Sequence, residues 1–346
     1  MLVATGVLVL LSVTVSGELL PLVKKIATAI MAKPITIASG IAADDSGCVL
    51  GSIKNVLINY VVTKSVYHAF RRAILAVMQL LDAIILGLVQ GITEFLPISS
   101  TGHLVLVREL LLIDGVNALA FDAILHFATT AAVMVYFRHD LLRLVQVAMR
   151  RLGRLPVDER DMTLLYALLI GTIPAVIVGL LLEPFISANL RTAGVVAAIL
   201  FCGSVFFMYA EWRYSVSPPR GRITLKRGLL VGLFQVLALL PGMSRSGATI
   251  AGGMLIGLTR IEATRFSFLL AIPITLGVGI KMTLDLLGEE GIVSWGMISI
   301  GAVVSFVTAL FVIHFFLGFI RRYTLWPFVW YGVILAGFVG YVAMIS

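Results

Sequence analysis

The chain has 346 residues, of which 60% are hydrophobic and only 13% are charged, and its mean hydropathy is +1.07. This leaves too little polar surface for a water-soluble globule of that size, so the composition excludes a soluble protein and indicates an integral membrane protein. The formal net charge of +8 could suggest nucleic acid binding, but the basic residues lie in short connections between apolar segments, where they set membrane orientation. We therefore predict membrane lipids as neighbours and no nucleic acid partner.

Residues 1–77 differ from the rest of the chain. Met1–Val23 is apolar but lacks the basic start of a secretory signal, and Lys33–Asn59 is too polar for a good span. Met78 lies just ahead of the first unusual motif. We predict a membrane domain over residues 78–346, preceded by an extension over residues 1–77 whose role, and even whose translation, the sequence leaves open.

Two segments on either side of the chain's middle are too short and too interrupted to span a membrane. Each contains two apolar pieces separated by Pro, Gly and Ser, and a helix needs about 20 apolar residues to cross the hydrocarbon core. We predict that each segment enters the membrane and returns on the same side as a re-entrant helical hairpin. The paired pieces are Leu80–Leu96 with Leu104–Ile113, and Leu229–Leu240 with Ala248–Leu258.

Six longer apolar segments are typical of transmembrane helices, because the two-residue period of membrane strands is absent. The connections between them alternate strictly between basic and non-basic. We expect the basic connections in the cytoplasm and the C-terminus outside it. The predicted spans are Ala118–Phe137, Met162–Leu182, Thr192–Ala210, Thr264–Leu287, Ile292–Gly318 and Leu325–Ile345.

The two interrupted segments are copies of one another. GLVQGITEFLPISSTGH, Gly87–His103, aligns with GLFQVLALLPGMSRSGA, Gly232–Ala248, at a constant shift of 145 residues. Three spans separate the copies, so the repeats over residues 78–222 and 223–346 must be inverted. Such paired interruptions indicate a site near the membrane midplane. The predicted fold is an all-α integral membrane protein with six transmembrane helices and two re-entrant hairpins arranged as an inverted repeat.

The first copy carries groups suited to acid/base chemistry. Gln90 and Glu94 are four residues apart and share one face of a helix. A carboxylate at membrane depth is costly unless it is paired, so Glu94 is either functional or part of a structural ion pair with Arg245, and we favour function. A hydroxyl-rich turn follows, whose members could cap the next helix or bind a ligand: Ser99, Ser100, Thr101 and His103.

The second copy carries groups suited to an anion. Arg245 lies in a glycine-containing turn that opens a helix, among hydroxyl side chains. A planar cation, hydroxyl donors and free backbone N–H groups at a helix N-terminus together favour a phosphate group. The residues that accompany Arg245 are Ser244, Ser246, Gly247 and Thr249.

The stretches QGITEFLPISSTGH, residues 90–103, and PGMSRSGAT, residues 241–249, closely resemble the motifs of the undecaprenyl-diphosphate phosphatase family. These bacterial membrane enzymes are associated with bacitracin resistance, and the likeness extends from about Met78 to the end of the chain. The resemblance implies hydrolysis of a polyprenyl diphosphate lipid to recycle the carrier used in peptidoglycan synthesis. It also implies a place in the bacterial inner membrane, with a site opening to the extracytoplasmic side.

The resemblance further implies roles for individual residues. The implied catalytic residues are Glu94, His103, Ser100 and Arg245. We favour Ser100 as the nucleophile, activated by Glu94 and assisted by His103. His103 itself or a water molecule remains an alternative nucleophile. Family members use divalent cations, which implies Mg²⁺ or Ca²⁺ at Glu94. Many members have a second glutamate at position 90, so Gln90 puts two-carboxylate mechanisms in doubt. The predicted substrate-binding residues are Gln90, Ser99, Thr101, Ser244, Ser246, Gly247 and Thr249.

Several alternatives remain open at this stage. Inverted repeats with broken helices are also the architecture of secondary transporters, so the same anion site could carry a lipid phosphate without cleaving it. A small-anion channel is disfavoured because the spans contain few polar residues. A homodimer is compatible with the sequence.

The roles of three further residues also stay open. His126 is as readily a histidine bonded to a neighbouring helix as a catalytic group. Arg265 could lie in the cavity or near the membrane interface, and Tyr331 is interpreted as an interfacial aromatic residue.

Overall fold

Helices form all the regular secondary structure in the described part of the chain. A computed structural model of the protein describes residue 73 and residues 77–111, 113, 118–190, 192–217, 221–288 and 295–345. These residues belong to one compact unit, Arg71–Ser346. The predicted extension over residues 1–77 lies outside the described residues except at residues 73 and 77, so it stays a prediction.

Within those ranges the chain forms eleven helices, which confirms the predicted helical class. Two pairs of short helices stand where the hairpins were predicted. The helices are α1 (Val77–Thr93), α2 (Ser100–Leu111), α3 (Ala118–Tyr136), α4 (Arg138–Leu152), α5 (Glu159–Asn189), α6 (Ala193–Val216), α7 (Leu225–Leu237), α8 (Arg245–Leu255), α9 (Arg260–Gly288), α10 (Trp295–Phe319) and α11 (Trp326–Ile345).

Five of these helices, α5, α6, α9, α10 and α11, are long and apolar enough to cross a membrane. They correspond to five of the six predicted spans. The sixth span corresponds to α3, which is a helix as expected, but its apolar part, Phe121–Tyr136, is shorter than a typical span. The helix is confirmed, whereas its complete crossing stays a prediction.

The two halves of the domain meet at α3 and α9. Thr130 Oγ1 lies 2.7 Å from Thr275 Oγ1, and these two residues are 145 positions apart, which is the shift that relates the repeats. Equivalent residues can contact each other only close to the axis that exchanges the two halves. The Thr130–Thr275 hydrogen bond therefore marks the pseudo-two-fold axis of the inverted repeat.

Each hairpin packs against a long helix of the opposite half, and glycine allows the close approach. A Cβ atom on Gly87 of α1 would lie 2.5 Å from the carbonyl oxygen of Gly301 on α10, and one on Gly232 of α7 would lie 2.2 Å from that of Gly171 on α5. The partners Gly171 and Gly301 are 130 positions apart. The difference from the shift of 145 is 15 residues, which is the length of α4 in the connection between α3 and α5.

The α5–α7 contact gives a test of this packing. We expect Gly232→Ala to lower the free energy of unfolding by about 1–3 kcal/mol, because backbone rather than a flexible side chain meets the added methyl group. Gly337→Ala on α11 is the matched control, since a Cβ atom there meets nothing within 4 Å. The measurement is thermal unfolding in detergent. Equal melting temperatures for the two variants would contradict the close α5–α7 contact.

Candidate active site

The tips of the two hairpins are built in the same way. At the start of α2, Ser99 Oγ accepts a hydrogen bond from the backbone N–H of Gly102 at 3.3 Å. At the start of α8, Ser244 Oγ accepts one from the backbone N–H of Gly247 at 3.1 Å. Both serines thus act as N-caps at equivalent positions of the repeat. The caps place two helix N-termini, with their partial positive charge, at the tips.

The tips are also joined to each other. Ser246 Oγ of the second hairpin donates a hydrogen bond to the backbone carbonyl oxygen of Leu96 in the first, at 2.9 Å. A cavity of about 190 Å³ lies beside this junction. Its walls combine residues of both tips with His126 of α3 and residues of α9: Glu94, Ser99, Ser100, Thr101, His126, Ala238, Met243, Ser244, Arg245, Ala271, Ile274, Thr275 and Val278.

The Glu94 carboxylate is the centre of the polar groups around this cavity. Glu94 follows the last residue of α1 and is only 7% exposed. Its Oε1 accepts a hydrogen bond from Arg245 Nη2, which crosses from the second half of the domain. Its Oε2 accepts from Ser100 Oγ at 2.8 Å. The carboxylate therefore contacts both the predicted nucleophile and the predicted phosphate-binding cation.

Gln90 and His126 complete the contacts of Glu94. Gln90 is fully buried, and its Nε2 donates a hydrogen bond to Glu94 Oε2 at 2.9 Å. His126 Nδ1 lies 3.0 Å from the same carboxylate oxygen and 2.9 Å from Gln90 Nε2. Buried charges are tolerated where an opposite charge and several hydrogen bonds surround them, and Glu94 has both.

His126 is a residue for which the sequence left both a structural and a catalytic role open. It does bond to a neighbouring helix, as that interpretation held, but it also lines the cavity and contacts Glu94. One signal could have found it. At the shift of 145 residues His126 aligns with Ala271, just as Glu94 aligns with Leu239. Each of these two positions therefore carries an ionisable side chain in only one copy of the repeat.

His103 does not lie on the cavity wall. Its Nδ1 is 2.7 Å from the backbone carbonyl oxygen of Ser99, and its Nε2 is 2.7 Å from the hydroxyl oxygen of Tyr331 on α11. The two rings are nearly parallel, with centroids 5.6 Å apart. The structure therefore does not bring His103 to Glu94 and Arg245, and its catalytic role stays a prediction.

The other predicted binding residues divide into two groups. Ser99, Thr101 and Ser244 line the cavity, together with Ser100 and Arg245. Gly247, Ser246 and Thr249 are buried outside it; Thr249 Oγ1 lies 2.6 Å from Ser267 Oγ, so its visible role is to hold α8 on α9. Arg265, left open by the sequence, pairs with Asp140 at 2.9 Å away from the cavity wall.

The arrangement suits a phosphorylated ligand. Arg245, the serine hydroxyls and two helix N-termini can all contact phosphate oxygens, and Glu94 can accept a proton from Ser100. A cation would have a single carboxylate, Glu94, on the cavity wall, and no group of three or more His, Cys, Asp or Glu suited to a metal occurs in the described residues. This donor set fits an ion such as Mg²⁺ that takes most of its ligands from phosphate and water.

Comparisons with known proteins agree with this chemistry. The family model "Bacitracin resistance protein BacA" matches residues 83–338. A protein of Alteromonas mediterranea named undecaprenyl-diphosphatase is 43% identical over 267 residues, covering 76% of this chain and 99% of that protein. A protein of the same name from Micrococcus luteus is 39% identical over 264 residues, covering 75% of this chain and 95% of its own length.

Replacing His126 tests its contact with Glu94. We expect His126→Leu to reduce kcat by about tenfold to a hundredfold, because the carboxylate loses a hydrogen-bond partner that fixes its orientation. His126→Asn, which can keep a donor near the position of Nδ1, should retain more activity. The measurement is the steady-state turnover of a prenyl diphosphate. His314→Leu, which removes another histidine that lies away from the cavity wall, is the control, and equal activities of the two leucine variants would contradict the assignment.

Proposed function

The chain belongs to the bacitracin resistance protein BacA family, and we infer from this membership and from the cavity that it hydrolyses undecaprenyl diphosphate to undecaprenyl phosphate and inorganic phosphate. The reaction recycles the lipid carrier of peptidoglycan synthesis and underlies bacitracin resistance. The observation that best supports it within the molecule is the contact of one carboxylate, Glu94, with both Ser100 and Arg245.

We propose that Ser100 is the nucleophile. Its hydroxyl already donates to Glu94 Oε2 at 2.8 Å, which is the contact expected between a nucleophile and its general base. Ser100 Oγ attacks the terminal phosphorus while its proton passes to Glu94, and the bond from phosphorus to the bridging oxygen breaks. Undecaprenyl phosphate leaves, and water then cleaves the phosphoserine to release inorganic phosphate and restore Ser100.

Arg245 binds the diphosphate in this proposal. Its guanidinium and the N-termini of α2 and α8 stabilise the negative charge on the transferred phosphoryl group. In the structure Arg245 is paired with Glu94. The guanidinium has five N–H donors, so Arg245 can bind a phosphate oxygen while it stays beside Glu94.

We also propose that the protein lies in the bacterial inner membrane with its cavity open to the extracytoplasmic side. The cavity wall on α9 runs from Ala271 to Val278, which is the middle of that helix. The second hairpin and the start of α9 follow the basic connection at residues 211–227, which is expected in the cytoplasm. The cavity therefore lies at about mid-membrane, half the length of α9 from the side that carries this basic connection, and its opening to the opposite side is what the family resemblance implies.

We propose Mg²⁺ or Ca²⁺ as a cofactor that enters with the substrate. Glu94 would supply the protein's carboxylate ligand, and diphosphate oxygens and water would supply the others. Such an ion neutralises charge on the diphosphate. The protein residues retain the roles given above: Ser100 attacks, Glu94 accepts the proton, and Arg245 orients the phosphate.

Phosphate release tests the activity and the site together. We expect purified protein in detergent to release inorganic phosphate from farnesyl or undecaprenyl diphosphate. Glu94→Ala and Arg245→Ala should each reduce kcat by at least about a hundredfold, because each removes a group that acts in the transition state. Arg265→Ala is the matched control, since that arginine pairs with Asp140 outside the cavity wall.

The same assay separates hydrolysis from transport. Detergent micelles do not separate two compartments, so a transporter would bind the lipid phosphate and release no inorganic phosphate. Folded protein that binds the lipid but releases no phosphate would overturn the proposed function. Equal losses in Glu94→Ala and Arg265→Ala would instead overturn the assignment of the site.

Removal of divalent cations tests the cofactor. We expect a chelator to lower phosphate release by at least about tenfold, and added Mg²⁺ or Ca²⁺ to restore it, because the diphosphate carries more negative charge than Arg245 can neutralise. Chelator already saturated with Mg²⁺ is the control. Full activity in the chelator would contradict a required divalent cation.

A further inference from the structure

The turn that carries Ser100 has an unusual backbone conformation. Ser99, the residue before it, has a φ of 65°, one of two positive values among the described residues other than glycine. Residues other than glycine occupy this left-handed region at a cost and remain there only where neighbouring groups hold them. The conformation of Ser99 sets the direction in which α2 begins and hence the position of Ser100 Oγ near Glu94.

His103 is the group that holds Ser99. The Ser99 carbonyl oxygen lies 3.3 Å from the backbone N–H nitrogen of His103 and 2.7 Å from its side-chain Nδ1. A carbonyl oxygen can only accept, so Nδ1 carries the proton in this contact. In a neutral imidazole the other nitrogen, Nε2, is then an acceptor.

Tyr331 supplies the donor that this arrangement requires. Its hydroxyl oxygen lies 2.7 Å from His103 Nε2, and its ring is nearly parallel to the imidazole, with an interplanar angle of 3°. The hydroxyl thus favours the histidine tautomer whose Nδ1–H reaches the Ser99 carbonyl. Without it, a proton on Nε2 is no longer disfavoured, and the bond to Ser99 is weakened.

We propose that Tyr331 is a positioning residue for the reaction: it fixes the tautomer and orientation of His103, which holds Ser99 in its left-handed conformation and so keeps Ser100 Oγ on Glu94. The proposal rests on the proposed function, in which Ser100 is the nucleophile. It also gives His103 a role that agrees with its place outside the cavity wall.

The packing of α11 does not depend on this hydroxyl. Leu335, Ala336 and Val339 of α11 are buried against Ala197 and Leu200 of α6, and Leu106 of α2 packs on the same cluster. Tyr331 itself is 43% exposed. Tyr331→Phe keeps the ring and removes one oxygen atom, so the variant should fold as the parent does.

The first test is kinetic, with farnesyl diphosphate in detergent. We expect Tyr331→Phe to lower kcat by about tenfold and to leave KM within about twofold, because the nucleophile is misplaced while Arg245 and the N-terminus of α8 still bind the phosphate. Tyr341→Phe on the same helix is the matched control and should retain the activity of the parent, since Tyr341 is exposed. Parent-like kcat in Tyr331→Phe would overturn the proposal.

A second substitution separates positioning from general damage. Glycine adopts positive φ without strain, so Ser99→Gly makes the turn less dependent on the tyrosine and costs little as a cap. In the Ser99→Gly background we expect Tyr331→Phe to lower kcat by less than about threefold. An undiminished tenfold loss in that background would show that Tyr331 acts elsewhere and would overturn the proposal.

The third test does not depend on activity. Nitrogen-15 spectra of labelled histidine distinguish the two imidazole tautomers, and the chain has five histidines, so a His103→Asn sample identifies the signal of His103. We expect the proton on Nδ1 in the parent and on Nε2 in a measurable fraction of Tyr331→Phe. A parent with the proton on Nε2, or the same tautomer in both proteins, would overturn the proposal even if phosphate release failed altogether.

Discussion

The buried carboxylate of Glu94 is the constraint on which the rest of the site depends. An isolated carboxylate at this depth would be strongly unfavourable, and leaving a buried charge without its partner costs about 3–5 kcal/mol. Its partners come from three parts of the chain: Ser100 from the first hairpin, Arg245 from the second, and His126 from α3. Glu94 can therefore be accommodated only when the two halves are assembled, so folding and formation of the site are the same event.

The inverted repeat supplies a symmetric scaffold for a site that is not symmetric. Residues that build the scaffold are the same in both halves: the N-cap serines, the packing glycines and the threonine pair on the axis. Residues that carry the chemistry differ between the halves, since Ser100 aligns with Arg245 and His126 aligns with Ala271. Facing copies therefore bring a nucleophile and its base opposite a cation, which two identical copies could not do.

Much of this arrangement could be predicted because it depends on local pattern. The length of the apolar segments predicted the long helices, and the short apolar pieces broken by Pro, Gly and Ser predicted the hairpins. The constant shift of 145 residues predicted which motifs would face each other. The helix α4 was not predicted, because its segment was interpreted only as a basic connection. Its Leu144 and Val147 are nevertheless buried.

By itself, the sequence determined the membrane class, the inverted halves and the residues that could carry charge at membrane depth. These follow from composition, hydrophobic period and repetition, which are properties of the residue order alone. Only the tertiary structure decided which of those residues meet. His103 is three positions from Ser100, yet its ring turns away from the cavity to Tyr331, while His126, more than 30 positions from Glu94, reaches the carboxylate. Side-chain direction depends on backbone angles such as that of Ser99 and on how the helices cross, and neither follows from residue type or spacing.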